Sequence, residues 1–324
     1  MSPTSARRRF ALVSALTWLP TSLGVATMVL LMQVRGLSLA GVGIAFAAYG
    51  IAVAVLELPT GGLADVIGRR TVLAASAAVA IAAFAGLAFA TSLWQFVAVS
   101  VLKGISRALS SGPAEAWYVD THHAARTRAG DQTGSGDQAG SGERELRRGL
   151  ATGHAAGSAT LAVGTIVGGA LPLLVPLPER GVIVPLSVPI LLAVVAAVAL
   201  LVVVVVGLPE PERAASPPLG EVLRGVPATI RRGIALGVRD RLLARVLLTA
   251  GALGFALNAI ELLTPGRLAQ LTGDPATAST AYALVAAVGF GAVAAGAAVS
   301  PLLARALGTR RDSSATGVAR RTAA

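Results

Sequence analysis

Eight long apolar stretches constrain this chain more than any other feature of its sequence. Each is close to the roughly 20 mostly apolar residues that a helix needs to cross a hydrocarbon core about 30 Å thick. The stretches are continuous and rich in Ala, Leu and Val, whereas strands of a membrane barrel alternate in polarity. The sequence therefore predicts an all-α polytopic membrane protein. The predicted spans lie near residues 11–34, 39–59, 71–90, 93–118, 150–175, 181–207, 243–263 and 279–303.

The composition excludes several other classes of protein. Hydrophobic residues make up 54% of the 324 residues and charged residues only 13%, too little polar surface for a water-soluble globule. The chain has no Cys, so disulfides and thiolate metal sites are ruled out. It has no phosphate-binding loop, and His122 and His123 lack a third ligand at usable spacing, which favours a solvated loop. We predict no enzyme, no cofactor and no metal site.

The arginines predict the orientation of the chain. With the N-terminus in the cytoplasm, the inner segments carry 21 Arg residues and the outer segments carry three, at Arg35, Arg180 and Arg267. This asymmetry follows the positive-inside rule and predicts a multi-pass protein of the plasma (inner) membrane with both termini cytoplasmic. It also explains the net charge of +11 without a nucleic-acid partner, because basic loops lie at the anionic inner leaflet. The lipid bilayer is the expected partner.

Two long connections divide the chain. Residues 121–148 contain a repeated pattern of Asp, Gln, Gly and Ser and are predicted to be a flexible cytoplasmic loop. Residues 208–240 have apolar residues at helical spacing among arginines, which predicts an amphipathic helix on the inner membrane face. The predicted domains are a six-span bundle over 1–207, this inter-bundle connection, two further spans within 241–308 and a polar tail over 309–324.

A motif between the second and third spans resembles a known family. Residues 57–70 read Glu-Leu-Pro-Thr-Gly-Gly-Leu-Ala-Asp-Val-Ile-Gly-Arg-Arg. This resembles the signature loop of the major facilitator superfamily of transporters. The matching positions of this loop are Gly62, Leu63, Asp65, Gly68, Arg69 and Arg70. In the family an acid at the inner end of the fourth span pairs with the signature-loop Arg.

The resemblance implies a charge network at the inner surface. Asp120 is the better positioned acid of the fourth span, and Glu115 is the alternative. We expect Asp65, either Arg69 or Arg70, and Asp120 to form one network that biases the conformation of the first bundle.

A glycine series in the fifth span resembles a second family motif. Gly164, Gly168 and Gly169 fit the antiporter pattern, although Thr165 replaces its Pro. Together with Gly153 and Gly157 they lie on one helix face. This arrangement favours close helix packing over a diagnostic antiporter signal, so efflux is a secondary prediction.

Two cations lie within the fourth span. Lys103 is predicted near the membrane midplane, and Arg107 lies one turn deeper on the same face. Two interpretations stay open, because these side chains either line a cavity for an anionic or zwitterionic solute or form a structural pair with Glu57 or Glu115. Glu261 is predicted near the outer boundary, solvated at the interface.

The resemblance implies secondary active transport of an unidentified small solute by alternating access, with protons as a candidate coupling ion. It extends to about residue 308 and matches the first six-helix bundle and two helices of the second. Residues 300–311 resemble a degenerate second signature loop. The alternative is a truncated, transport-inactive fragment that is only a membrane protein or works by assembling with another chain. We expect the chain alone not to carry out coupled transport unless a homo-oligomer supplies the other helices.

Overall fold

The computed structural model is mainly helical over the residues that it describes. These are residues 3–128, 136–175, 177–178, 181–209, 231, 235, 238–292, 295–296 and 299. The described part contains no strand, and the all-α prediction is confirmed. In chain order the helices are α1 Pro3–Val25, α2 Met28–Val34, α3 Leu39–Ile67, α4 Arg69–Phe89, α5 Leu93–Ser110, α6 Pro113–Arg128, α7 Gly136–Leu174, α8 Val188–Gly207, α9 Arg241–Thr272 and α10 Pro275–Ala292.

Seven segments of the described helices are long and apolar enough to cross a membrane. They are Thr4–Val34, Leu39–Glu57, Arg69–Phe89, Gly142–Leu174, Pro185–Gly207, Arg241–Thr272 and Pro275–Ala292. The first of these contains both α1 and α2. A multi-pass membrane protein is therefore confirmed, with one fewer qualifying segment than predicted.

The predicted fourth span, 93–118, is the one that differs. It consists of α5 and α6 instead of one continuous helix. Gly112 has φ of 92°, in the left-handed region that favours glycine, and Pro113 starts α6 because it needs no amide partner in the first turn. Lys103 and Arg107 also lower the hydropathy of α5, which nevertheless packs against α3 and α4.

The signature motif, which the sequence predicted to be a short loop between helices, is mostly helical in the structure. Helix α3 continues to Ile67, and Gly68 alone separates it from α4. Gly68 has φ of 103°, so a residue without a Cβ is favoured at this turn.

The described residues within the predicted loop over 121–148 are helical. Helix α6 enters it from one side and α7 from the other, and residues 129–135 lie outside the described residues. An ion pair one turn apart, with 2.6 Å between Arg147 Nη2 and Glu143 Oε1, supports the early part of α7. The predicted amphipathic helix within 208–240, the second signature loop at 300–311 and the tail 309–324 lie largely or wholly outside the described residues.

Helices α1 and α7 pack along their length through the predicted glycine face. A Cβ at Gly157 would lie 2.8 Å from Cδ1 of Trp18. Cβ atoms at Gly153, Gly164 and Gly168 would overlap the ring of Phe10, the side chain of Ser22 and the backbone carbonyl of Leu23. Small residues thus let two membrane helices approach closely, which is how such helices associate without a hydrophobic drive in lipid.

Two clusters of buried side chains lie toward opposite ends of the bundle. One includes Leu31, Leu87 and Ile190 near Arg35, and the other includes Phe10 and Trp117 near Asp120. We call the end with Arg69, Arg70 and Asp120 the charged end.

Arg35 joins several segments at the opposite end of the bundle. Its guanidinium donates hydrogen bonds to the carbonyls of Leu87, Ala88 and Ala90, which end α4, and to the carbonyl of Val182 and the hydroxyl of Ser187. These carbonyls lack partners within α4 itself, so Arg35 satisfies backbone acceptors that a helix end leaves open.

Helices α9 and α10 attach to this bundle over smaller areas. Pro265 is the buried residue of α9, and a Cβ at Gly266 would meet the side-chain amide of Gln33 on α2. Helix α10 is held against α7 because Ser279 and Thr280 both donate hydrogen bonds of 2.8 Å to the carbonyl of Gly169.

Candidate functional site

A central cavity of about 370 Å³ lies among the helices. Side chains from α1, α3, α4, α5, α7, α8, α9 and α10 line it together with Met28 of α2. The lining combines hydroxyl groups, aromatic rings and the side chains of three basic or acidic residues, Lys103, Arg107 and Glu261. A small solute fits a cavity of this size, in which apolar walls carry a few polar groups.

Lys103 projects from α5 into an aromatic part of the cavity. Its Nζ lies 2.9 Å from Sδ of Met28. The same atom lies 5.8 Å from the ring centre of Tyr49 and 5.4 Å from that of Phe84. No carboxylate among the described residues forms an ion pair with Lys103. Its charge is therefore held by ring faces and a thioether, which stabilise a cation without neutralising it.

Arg107 lies one turn beyond Lys103 and faces the indole of Trp18. Its guanidinium carbon is 4.7 Å from the ring centre. The two proposed carboxylate partners are engaged elsewhere: Glu57 Oε1 accepts a hydrogen bond of 2.9 Å from Ser111 Oγ, and Glu115 pairs with His154. The structure thus places Arg107 in the cavity lining and not in an ion pair with either glutamate.

The sequence interpretation of Glu261 was wrong. This residue lines the central cavity with Asn258, is half-buried and interacts electrostatically with Lys103. Helix α9 extends to Thr272, about ten residues past the predicted end of the span, so Glu261 lies roughly 17 Å from the C-terminal end of α9. The spacing of Asn258 and Glu261 on one helix face was the available signal, and the misplaced helix end concealed it.

The signature motif forms contacts at the charged end. Arg69 Nε lies 3.4 Å from Asp120 Oδ2, and these side chains are 23% and 46% exposed. Arg70 instead donates a hydrogen bond to the carbonyl of Val205 in α8. Gly62 lies within α3, and the side chain of Asp65, the third member of the expected network, lies outside what the structure describes.

A second pocket, of about 310 Å³, adjoins the central cavity. We call it the side pocket. Helices α1, α5, α6 and α7 supply most of its lining, which includes Glu115 and His154. The two spaces share the residues Thr17, Trp18, Arg107, Ser110 and Leu161. The contact between Arg107 and Trp18 therefore lies where the two spaces meet.

His122 is not the solvated loop residue that the sequence predicted. It is 6% exposed, its ring centre lies 6.4 Å from that of Tyr118, and its Nε2 is 3.9 Å from Glu145 Oε2. Helix α6 carries it inward because the helix continues through the predicted loop. In the part of the chain that the structure describes, no group of three His, Asp or Glu side chains has the geometry of a metal site.

Comparison with known proteins gave a family and several similar structures. A family model described as Major Facilitator Superfamily matches residues 10–318. The nucleoside transporter NupG has 14% sequence identity to this chain, and its structure superimposes with a TM-score of 0.62. The match covers 87% of this chain and 62% of NupG. A mutant form of NupG, also 14% identical, gives a TM-score of 0.66 and covers 92% of this chain and 68% of that one.

A bacterial homologue of the human drug peptide transporters PepT1 and PepT2 is also similar. It has 14% sequence identity to this chain and a TM-score of 0.51. The match covers 82% of this chain and 57% of the transporter. No curated protein sequence matches this chain. The chain thus spans less than two thirds of the length of the first of these transporters, and the likeness to all three establishes the fold alone.

Proposed function

The chain belongs to the major facilitator superfamily, and from this premise we propose that it carries a small solute across the plasma membrane by alternating access at the central cavity. The observation that supports this proposal is the pair of cations, Lys103 and Arg107, that faces the cavity on aromatic rings and forms no ion pair with a carboxylate among the described residues. Charges inside a membrane are costly and are commonly kept for substrates or ions.

The charges also indicate the class of solute. Glu261 acts on Lys103 across the cavity without forming an ion pair, so a carboxylate or phosphate group on the solute would be a direct anionic partner for Lys103 and Arg107. The rings of Trp18, Tyr49 and Phe84 would contact its apolar part. We therefore propose an organic solute that carries a negative charge, alone or as part of a zwitterion.

Binding to the purified protein tests this proposal. The panel contains organic anions, zwitterions such as dipeptides, cations and uncharged nucleosides, and the readout is ligand-induced thermal stabilisation. A ligand at 100 times its Kd adds about 2.7 kcal/mol to stability. We expect Lys103→Met and Arg107→Gln to weaken binding of anionic members at least tenfold.

Arg267→Gln is the matched control for these variants. Arg267 is an exposed arginine of α9 whose guanidinium contacts Gln270 in its own helix. It should leave binding unchanged. Equal affinity for cations and anions, or unchanged affinity in both cavity variants, would contradict the proposed solute class. Proteoliposomes with an imposed ion gradient then test whether a bound solute is carried across the membrane.

The orientation that we propose places the charged end and both termini in the cytoplasm. It rests on the distribution of Arg residues along the sequence. Because the chain has no Cys, a single introduced Cys reports its own side of the membrane. Thr91→Cys, between α4 and α5, should react with an impermeant thiol reagent in intact cells, whereas His123→Cys, near the charged end, should not. The reverse pattern would invert the orientation.

The direction of transport and the assembly state complete the proposal. We propose export, which the resemblance of the Gly164–Gly169 motif favours, although helix packing alone accounts for these glycines. Flux into inside-out vesicles, compared with right-side-out vesicles, measures the direction. The second candidate, which the family resemblance of the sequence raised, is a chain that acts only in assembly with another chain. The mass of the purified particle, measured together with flux, separates the two candidates.

A further inference from the structure

The ammonium group of Lys103 lies among side chains from three other helices. These are Met28 of α2, Tyr49 of α3 and Phe84 of α4, and we call them the cage. The Nζ atom is 2.9 Å from the sulfur of Met28, 5.4 Å from the ring centre of Phe84 and 5.8 Å from that of Tyr49. Ring faces within about 6 Å attract a cation, and groups of such rings are used to bind quaternary ammonium compounds. The cage is therefore a cation site that the chain fills with a cation of its own.

Close contacts of α5 with α3 and α4 fix the geometry of the cage. A Cβ at Gly104, the residue after Lys103, would lie 2.8 Å from the backbone carbonyl oxygen of Tyr49, so the two helices touch at this level. Toward α4, the hydroxyls of Ser76 and Ser106 each donate a hydrogen bond to the carbonyl of the other residue, at 2.9 and 3.0 Å. The positions of the two rings are thus set by helix packing and not by the ammonium between them.

The cavity beside the cage also carries an acidic group. Glu261 of α9 lines the same space and interacts electrostatically with Lys103 without forming an ion pair. Ring faces and a carboxylate both favour positive charge, so together they have the chemistry of a binding site for an organic cation. Arg107, the other cation of the lining, lies outside the cage on the ring of Trp18. Lys103 is therefore the group that occupies this cation site.

We propose that Lys103 determines which charge the solute carries, because its ammonium fills the cage as a tethered cation and excludes cationic solutes from it. This inference rests on the proposed transport function, for which it names the specificity-determining residue. A solute cation that enters the cavity meets ring faces that are already covered and is repelled by the like charge of Lys103. A short, neutral side chain at position 103 leaves the same rings and the Glu261 carboxyl group open, so the protein then binds small quaternary ammonium compounds.

Binding of tetramethylammonium to the purified protein tests this assignment. Equilibrium dialysis with the labelled ion should show at least about tenfold tighter binding to Lys103→Ala than to the native protein. Lys103→Arg keeps a tethered cation and should bind the ion as weakly as the native protein does. Adding Phe84→Leu to Lys103→Ala should remove the gain, because a leucine side chain offers no ring face.

Arg107→Ala is the matched control for a general effect of charge. It removes one positive charge from the same cavity but leaves the cage filled by Lys103. We expect it to bind tetramethylammonium much more weakly than Lys103→Ala does. Either an equal gain in Arg107→Ala or unchanged binding in Lys103→Ala overturns the inference.

A double-mutant cycle covers the case in which Lys103→Ala fails to fold. Lys103→Leu keeps an apolar side chain next to the cage without the ammonium. If the rings hold the ammonium, Phe84→Leu should lower the melting temperature of the native protein more than that of Lys103→Leu, since only the native protein loses a cation–π contact. Equal shifts in the two backgrounds overturn the inference.

Solute binding separates this inference from the proposed function. If the native protein binds no member of the solute panel, the proposed function fails, and a gain of tetramethylammonium binding in Lys103→Ala still shows that Lys103 fills the cage. If the native protein binds anionic solutes and Lys103→Ala gains no affinity for tetramethylammonium, the inference fails and the proposed function remains.

Discussion

The bundle of α1 to α8 and the pair α9 and α10 are held in different ways. Within the bundle, glycines of α7 lie directly against α1, and Arg35 binds the carbonyls at the end of α4. Helix α9 exposes most of its apolar surface, for example Leu248 at 74% and Phe255 at 79%, and its glycines Gly251 and Gly254 face open space. Yet α9 carries Glu261, a charged member of the cavity lining.

The two regions contribute differently to the protein: the bundle supplies most of the packing contacts, and α9 supplies a charged residue of the cavity. Apolar exposure costs little in lipid, so a membrane helix keeps its place only through close packing and polar contacts. The bundle has many such contacts, and α9 has few. The bundle therefore sets most of the shape of the cavity, whereas Glu261 is added by a helix with few packing contacts.

The largest effect is expected when the same bulky side chain is added to a glycine of α7 and to a glycine of α9. In Gly168→Leu the new Cβ meets the backbone carbonyl of Leu23, which cannot move away as a side chain would. Overpacking costs about 3 kcal/mol. At roughly 2–4 °C per kcal/mol, the melting temperature in detergent should fall by about 6–12 °C.

Gly254→Leu is the matched control, because nothing lies within 4 Å of a Cβ at this position of α9. It should shift the melting temperature by no more than about 2 °C, since exposed substitutions change stability by about 0.5 kcal/mol or less. Equal shifts for the two leucines would mean that α9 is packed as tightly as α7.

Double-mutant cycles test which arginine interacts with Asp120 at the charged end of the bundle. Arg69 pairs with Asp120, whereas Arg70 binds the Val205 carbonyl. Arg69→Gln and Asp120→Asn should be non-additive by about 0.2–1 kcal/mol, the range of partly exposed ion pairs. Arg70→Gln with Asp120→Asn should be additive within about 0.3 kcal/mol. Chemical unfolding in detergent measures both cycles. Equal coupling in both would show that the two arginines share Asp120.

The smallest effect concerns the start of α10. The hydroxyl and amide of Thr277 and the amide of Ala276 donate hydrogen bonds to Asp274 and hold the pKa of this carboxyl below its usual value. A lowered pKa means that the folded state binds the proton less readily than the unfolded state. The stabilisation is therefore present above about pH 4 and is lost as the pH falls further.

Asp274→Asn keeps a residue that caps helices well but does not titrate. Between pH 6 and pH 3, the melting temperature of the native protein should fall by about 1–2 °C more than that of this variant, since a negative charge at a helix N-terminus contributes about 0.5 kcal/mol. Parallel curves for the two proteins would show that the charge of Asp274 does not stabilise α10.

The sequence by itself determined the membrane class, the all-α fold and the family. These follow from properties that each segment carries alone: apolar length sets the number of spans to within one, and the motif at Gly68, Arg69 and Arg70 carries the family resemblance. Local rules also placed the glycines of α7 on one face, because helical periodicity is fixed by the backbone.

Only the tertiary structure decided which charged groups meet. Arg107 rests on Trp18, 89 positions away in the chain, and Glu261 lines the same cavity as Lys103 although spacing placed it at the membrane surface. His154 reaches Glu115 because α6 bends away from α5 at Gly112. Such contacts depend on helix ends, breaks and crossing positions, which the packing of several helices sets together and which no single segment encodes.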